Sequence, residues 1–239
     1  QTSAYIELDY AVITRLTDFQ SSICAMVHQT RRAASNIIDS LKPTGVVIVN
    51  ADDASSRFDL PRIENPTLTI GSNDDCDIWV EHLNHSADGQ RLRIHAGTAE
   101  AVVFTPIIGH HHVYHCLQAT ALALLEGYSL PEIAEAIGRV DTIQGHLERI
   151  TRGQDFEVYI DAANSPITLR NALHSMRQIT TGRLIVVYGP GANTDAPFRA
   201  DMGRIAEKAA DITIITENDP ANEETLSIAH DVLDGYRRP

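Results

Sequence analysis

Between residues 155 and 219 the chain reads as one interrupted phrase: FEVYIDAANSP, then GRLIVVYGPGANTD, then DITIITENDPANEE. Each piece is an apolar run of β-type residues that stops in a polar, turn-rich tip, and helical patterns at Ile167–Gln178 and Ala200–Ala210 separate them. Strand–helix repetition of this kind predicts a parallel sheet. Such sheets collect ligands at the carboxyl ends of their strands, so the tips Asp161–Pro166, Gly189–Asp195 and Thr216–Glu224 are the first candidate site.

Upstream, YIELDYAVITRL predicts a strand, and a helical pattern follows from about Ser22 to Leu41 through Ile23, Val27, Ala34, Ile37 and Ile38, ended by Pro43-Thr44-Gly45. VVIVN at 46–50 and the run Thr67–Ile70 are short apolar strands, so this part is α/β as well. From Asp77 to Ile108 the pattern changes to three strand-like runs separated by Ala87-Asp88-Gly89 and Ala96-Gly97-Thr98, which predict hairpins and a small antiparallel sheet. Val113–Glu126 and Leu130–Arg139 then read as two helices, the second opened by a proline in its first turn. Asp141–Gly153 is polar and punctuated by glycine, which places a domain boundary near residue 150.

Composition narrows the function. With 239 residues, 43% of them hydrophobic, the chain can bury two ordinary cores. A net charge of −13 excludes a duplex nucleic-acid binder and an anionic-membrane binder, both of which need a basic footprint. Cys24, Cys76 and Cys116 are odd in number and widely spaced, as expected of reduced thiols in a cytoplasmic protein. No apolar run approaches membrane-spanning length, and QTSAYIELDYAV lacks the pattern of a signal peptide. The sequence contains no GxxxxGK[ST] loop and stops after three strand–helix units of its second part, so it is expected to be a piece of a longer protein.

Six segments, in order, resemble the Mur ligase family, most closely its UDP-N-acetylmuramoyl-tripeptide synthetases. They are YAVITRL, LKPTGVVIVNADD, the helix pair in GHHHVYHCLQATALALLEGYSLPEIAEAI, the linker GHLERI, DAANSP, and YGPGANTDAPFRADMGRIAEKAADITIITENDPANEE. The resemblance covers nearly the whole chain. It implies the latter part of a central, ATP-binding domain with a parallel sheet and a small antiparallel sheet at 1–150, and most of a Rossmann-like C-terminal domain at 151–239. It also implies an ATP- and Mg2+-dependent amide ligase in peptidoglycan precursor synthesis, which activates the carboxylate of a UDP-sugar peptide as an acyl phosphate for attack by an amino acid's amine.

Carried over position by position, the resemblance implies that Asp161 hydrogen-bonds the nucleotide ribose; a helix N-cap is the alternative for an aspartate there. Asn164 stands where the family has a histidine. His112 and His115 stand at two asparagines, one of which contacts adenine, and His146 at an arginine of the linker. Glu148 and Arg149 match the linker, or form an exposed ion pair. His110, His111, His112 and His115 also invite a metal reading, but no nearby cysteine or carboxylate completes a ligand shell, and a solvated helix start explains them as well. Asn218-Asp219-Pro220-Ala221 corresponds to the amino-acid selector, in which arginine grips diaminopimelate. Ala221 and Thr194 replace two such arginines, so diaminopimelate is not the expected amino acid. In plain turn chemistry, Asn222, Glu223 and Glu224 instead serve as cap and first-turn acids. Ala34 stands at a carbamylated lysine, where Arg31 and Arg32 cannot substitute, and Asp18 is the one acid kept at the first strand tip. These replacements leave two rivals to an active synthetase: a catalytically silent relative used as a binding module, and a divergent ligase acting on another carboxylate.

Overall fold

Val47, Ile48 and Val49 are consecutive and all buried, as a strand covered on both faces requires. They lie in β2 (Leu41–Asn50) of a six-stranded sheet. Its other strands are β1 (Leu8–Ile13), β3 (Thr67–Gly71), β4 (Ile78–Ser86), β5 (Gly89–Ala96) and β6 (Ala99–Thr105), in the spatial order of the sequence. The computed structural model describes residues 7–14, 34–53, 63–192 and 194–237. Strands β1 to β4 pair in parallel, and β5 with β6 antiparallel. The expected hairpins are therefore present, but they extend the parallel sheet, because the start of β4 pairs with the end of β3 through Ile70 and Ile78.

Side chains alternate across the strand, so β2 feeds two cores. Val47 and Val49 meet Ile13, Ala34, Ile38 and Ile63 on one face. Ile48 joins Ile70, Leu92, Ile94 and Val103 on the other, beneath α1 (His110–Leu125) and α2 (Leu130–Gly138), which contribute Val113, Leu117, Ala121 and Leu130. Each such side chain contributes about 1.5–3 kcal/mol.

The helix expected to reach Leu41 closes earlier. Residues 34–38 are helical, and Leu41 already pairs with Leu8. Strand β2 passes through Pro43 because the register shifts between Leu8 and Tyr10, so the proline, which has no N–H, falls in the irregularity. Asn65 Nδ2 donates to the carbonyls of Lys42 and Gly45 there. The earlier part of that helical stretch, with Cys24, Arg31 and Arg32, and the tip holding Asp18 lie outside the described residues.

Two compact units divide the chain: Gln1–Asn84, Gln90–Pro106 and His111–Val140 form the first, and His85–Gly89, Ile107–His110 and Asp141–Pro239 the second. The second contains β7 (Glu148–Arg149), β8 (Tyr159–Ile160), α3 (Pro166–Ile179), β9 (Ile185–Tyr188), α4 (Ala196–Ala209), β10 (Ile212–Ile215) and α5 (Thr225–Leu233). Strands β9 and β10 pair in parallel, as the repetition predicts. Val186 and Tyr188 pack on a core of Leu169, Leu173, Met176, Met202 and Ala206. The alternate residues Ile185, Val187, Ile212 and Ile214 are exposed. The strand expected across FEVYI is shorter: Tyr159 and Ile160 pair antiparallel to Arg149 and Glu148, Val158 O accepts the Ile150 N–H, and Phe156 is 70% exposed.

Candidate functional site

The first tip of the second unit is organised by Asp161. Its Oδ1 accepts the N–H of Ala163 at 2.9 Å and its Oδ2 that of Leu147 at 3.0 Å, while Ala162 N donates to Gly145 O at 2.7 Å. The strand end and the linker Gly145–Arg149 are thereby stitched together. Asp161 is not the helix cap: Ser165 caps α3 in a reciprocal pair with Thr168. Asn164 and His146 are exposed beside this tip, each within a few residues of the clamp. Glu148 accepts the N–H of Gly145, and Arg149 forms a two-pronged pair with Glu157 at 2.7 Å and 2.7 Å, not with its neighbour. That pair is surface-exposed, and the Arg149 guanidinium holds the Glu157 carboxyl below its usual range.

The other two tips meet. Gly189, at the end of β9, lies so close to β10 that a Cβ would stand 2.1 Å from Thr216 O. Ala192 N donates to Asp219 O at 3.2 Å, and Thr194 N to Gly191 O. Asp219 and Ala221 both take positive φ, 45° and 47°, which costs a side-chain-bearing residue free energy and must be held by its surroundings. Asn218, Asp219 and Ala221 are exposed, and Thr194 and Pro220 half-buried.

Behind these tips sits Arg199, on the buried face of α4 with Met202, Gly203 and Ala206. It is 3% exposed. Its Nη1 donates to Glu223 Oε2 and Asp231 Oδ2, both at 2.8 Å, and its Nη2 to Glu223 Oε1 at 2.9 Å, Ala192 O at 2.9 Å and Gly191 O at 3.3 Å. Glu223 is consequently not a first-turn acid, and Glu224, not Asn222, is the N-cap of α5. The hydrogen bond from Arg199 holds the Glu223 carboxyl below its ordinary value, and Glu223 and Asp231 together raise that of Arg199.

In the first unit, Asp52 collects donors at the carboxyl ends of β2 and β3: Ser72 N at 2.7 Å, Tyr114 Oη at 2.9 Å and Asn73 Nδ2 at 3.5 Å. Asn50 Oδ1 in turn accepts the Asp52 N–H. The helix α1 starts at His110, so all four histidines lie within its first two turns. His112 is 1% exposed, and its Nδ1 is 3.3 Å from Nδ1 of the exposed His115, so one ring donates and the other accepts. His111 packs against both, at 4.1 Å and 6.0 Å between ring centroids. No group of three or more His, Cys, Asp or Glu among the described residues is placed to hold a metal ion. Ala34 is half-buried among Ile13, Val47 and Val49.

Ordered strand tips of this kind occur on many α/β folds; a family comparison discriminates among them. Residues 1–123 match the Mur ligase middle domain, and residues 145–238 the Mur ligase, glutamate ligase domain. The chain belongs to the Mur ligase family. It is 30% identical over 236 residues to the UDP-N-acetylmuramoyl-L-alanyl-D-glutamate–2,6-diaminopimelate ligase of Geobacillus kaustophilus, covering 96% of this chain and 48% of that protein. It is 28% identical over 239 residues to the UDP-N-acetylmuramyl-tripeptide synthetase of a Roseiflexus species, covering 95% of this chain and 47% of that one. The chain thus spans about half the length of the curated relatives it matches. Among solved structures, MurF from Acinetobacter baumannii superposes with a TM-score of 0.78 at 21% identity, over 95% of this chain and 49% of that one, a likeness of fold. No helix among the described residues is long and apolar enough to cross a membrane.

In this Mur ligase chain the two tips that meet are visible in the sequence, and the residues that hold them are not. The pattern of residues gives no role to Arg199, does not pair it with Glu223 and Asp231, and does not gather Asn50, Asp52 and Tyr114 into a cluster. One signal was available for Arg199. It falls on the helix stripe 199, 202, 203, 206 whose other members are apolar or small, which puts a permanent cation on the buried face.

Proposed function

We propose that this chain supplies the amino-acid-selecting and part of the nucleotide-holding machinery of an ATP-dependent amide ligase in peptidoglycan precursor synthesis, acting on a UDP-N-acetylmuramoyl-peptide. The observation that carries the reading is the meeting of the Gly189–Thr194 and Asn218–Ala221 tips, the segment that aligns with the family's amino-acid selector. ATP supplies the phosphoryl group that converts the acceptor carboxylate into an acyl phosphate.

For the nucleotide, the donor chemistry fits. A carboxylate has about four lone-pair sites. Two of those on Asp161 are taken by backbone N–H groups, which orient the carboxylate and leave capacity for ribose hydroxyls. Asn164 and His146 are exposed close by in sequence and would add donors and a stacking face. In the first unit, His115 is the exposed member of the bonded pair and would present its ring to a base, with His112 fixing its orientation. The resemblance implies Mg2+ as well; among the described residues no group of three or more His, Cys, Asp or Glu is placed to hold it without the nucleotide's phosphates. The division into a central domain at 1–150 and a C-terminal domain at 151–239 is part of the same proposal.

At the selector, Ala221 and Thr194 carry no cation, and the acids Asp195, Glu217 and Glu224 stand nearby in sequence. The amino acid is therefore one other than diaminopimelate, without a distal carboxylate, since nothing in these two positions would grip one. The second reading is a relative that keeps the fold for binding alone. Its support is Ala34, set among aliphatic side chains where a carbamylated lysine would have to project a charge.

The test is calorimetry with Mg-ATP at millimolar concentration on the complete gene product, followed by assay of amino-acid-dependent phosphate release with a UDP-N-acetylmuramoyl-dipeptide. Heat that disappears in Asp161→Ala, together with turnover, supports the ligase. Absence of heat overturns it in favour of the binding role.

A further inference from the structure

Arg199 is buried behind the two selector tips, and it is the joint on which both hang. Its guanidinium has three kinds of acceptor: the carbonyls of Gly191 and Ala192 from the β9 tip, the carboxylate of Glu223 from the loop after β10, and the carboxylate of Asp231 from α5. The loop it fastens contains two non-glycine residues of positive φ, Asp219 and Ala221, and Asp219 O accepts directly from Ala192 N of the β9 tip. A conformation of that kind persists only where the surroundings over-determine it. The planar fork of arginine reaches four groups in fixed directions, which a lysine ammonium does not.

We propose that Arg199, with Glu223 and Asp231, is a positioning residue that sets the shape of the amino-acid site by locking the Gly191–Ala192 turn to the Asp219–Ala221 loop. It acts on capture of the amino acid and leaves nucleotide affinity alone. The proposal rests on the ligase reading above.

The experiment uses the complete gene product and measures initial rates while ATP and the amino acid are varied separately. The probe is whichever of L-lysine, L-ornithine, L-alanine and meso-diaminopimelate the unsubstituted protein ligates fastest. Glu223→Gln and Asp231→Asn keep the shape of the side chains and remove one charge each; Arg199→Lys keeps the charge and removes the fork. The expected result is an amino-acid KM raised about tenfold in each variant, with the KM for ATP within about twofold of the parent. Equal shifts in both KM values, or an unchanged amino-acid KM with a lowered melting temperature, reduce Arg199 to a structural ion pair and overturn the proposal. If Arg199→Lys fails to fold, Glu223→Gln decides, since its carboxylate is 42% exposed. An unsubstituted protein that ligates none of the four overturns the ligase reading and this proposal with it, whereas an active one with unaltered variants overturns this proposal alone.

Discussion

Asp161 holds Leu147 in the left-handed region of backbone space: the carboxylate accepts the Leu147 N–H at 3.0 Å, and Leu147 sits at φ 48° with its side chain buried. A residue read from the sequence as a ligand contact is thus also a structural clamp between a linker and a strand tip. Asp161→Asn keeps one acceptor but loses the charge-assisted character of the bonds. It is expected to cost about 1–3 kcal/mol, measured as a lower urea midpoint at unchanged slope. A cost under about 0.5 kcal/mol would return Asp161 to the class of ordinary surface acids.

Gly189 tests the approach of β9 to β10. A methyl group there meets the Thr216 carbonyl at 2.1 Å, so Gly189→Ala has to push two paired strands apart. Overpacking of this sort costs about 1–3 kcal/mol, and thermal unfolding is expected to show it as a drop of several degrees. Gly182→Ala, which meets nothing within 4 Å, is the matched control and leaves the transition in place.

Acid reports on the Arg199 joint. Because Arg199 holds the Glu223 carboxyl below its ordinary value of 4.5, the pair's contribution is complete above that value and disappears as pH falls through the depressed folded-state value. Glu223→Gln lacks this contribution at every pH. The stability difference between parent and variant should therefore be largest near neutrality and shrink below about pH 4.5. A difference that stays constant down to about pH 3 would show that the charge on Glu223 does not matter.

Thiol chemistry offers a further check. Burial pushes the Cys76 and Cys116 thiols up to about 11, Cys76 with help from the charges of Asp75 and Asp52. The thiolate is the reacting species. Both are expected to label slowly with iodoacetamide at neutral pH in the native protein and fully after denaturation, as read by peptide mass spectrometry. Fast native labelling at Cys116 would contradict its packing against α1's own core neighbours.

The strand–helix order was legible because its signals are local: VVIVN, IVVY and ITII are apolar runs, and Ser165-Pro166 and Ser129-Leu130-Pro131 mark helix starts. Errors arose where partners distant in sequence decided. Leu41 completes a helical stripe on paper, but its pairing with Leu8 makes it a strand residue. FEVYI has strand propensity throughout, yet only its second half, Val158, Tyr159 and Ile160, bonds to the 148–150 segment. The hairpins were found, and their fusion to the parallel sheet was not, since it depends on Ile70 meeting Ile78 across a turn whose geometry the pattern does not encode.

Periodicity and turn residues act over a few neighbours, so they specify the order of most strands and helices and where polar tips must fall, but not where each element ends. The order of those tips was enough to reveal the family. Which tips touch is a different matter. Gly189 against Thr216, Asp161 on Leu147, and Arg199 on Glu223 and Asp231 join residues separated by 27, 14, 24 and 32 positions, and such encounters exist only once both elements are packed. A buried cation shows the reason most plainly: its desolvation is offset only when several fixed acceptors converge on it, and convergence is a property of the assembled backbone.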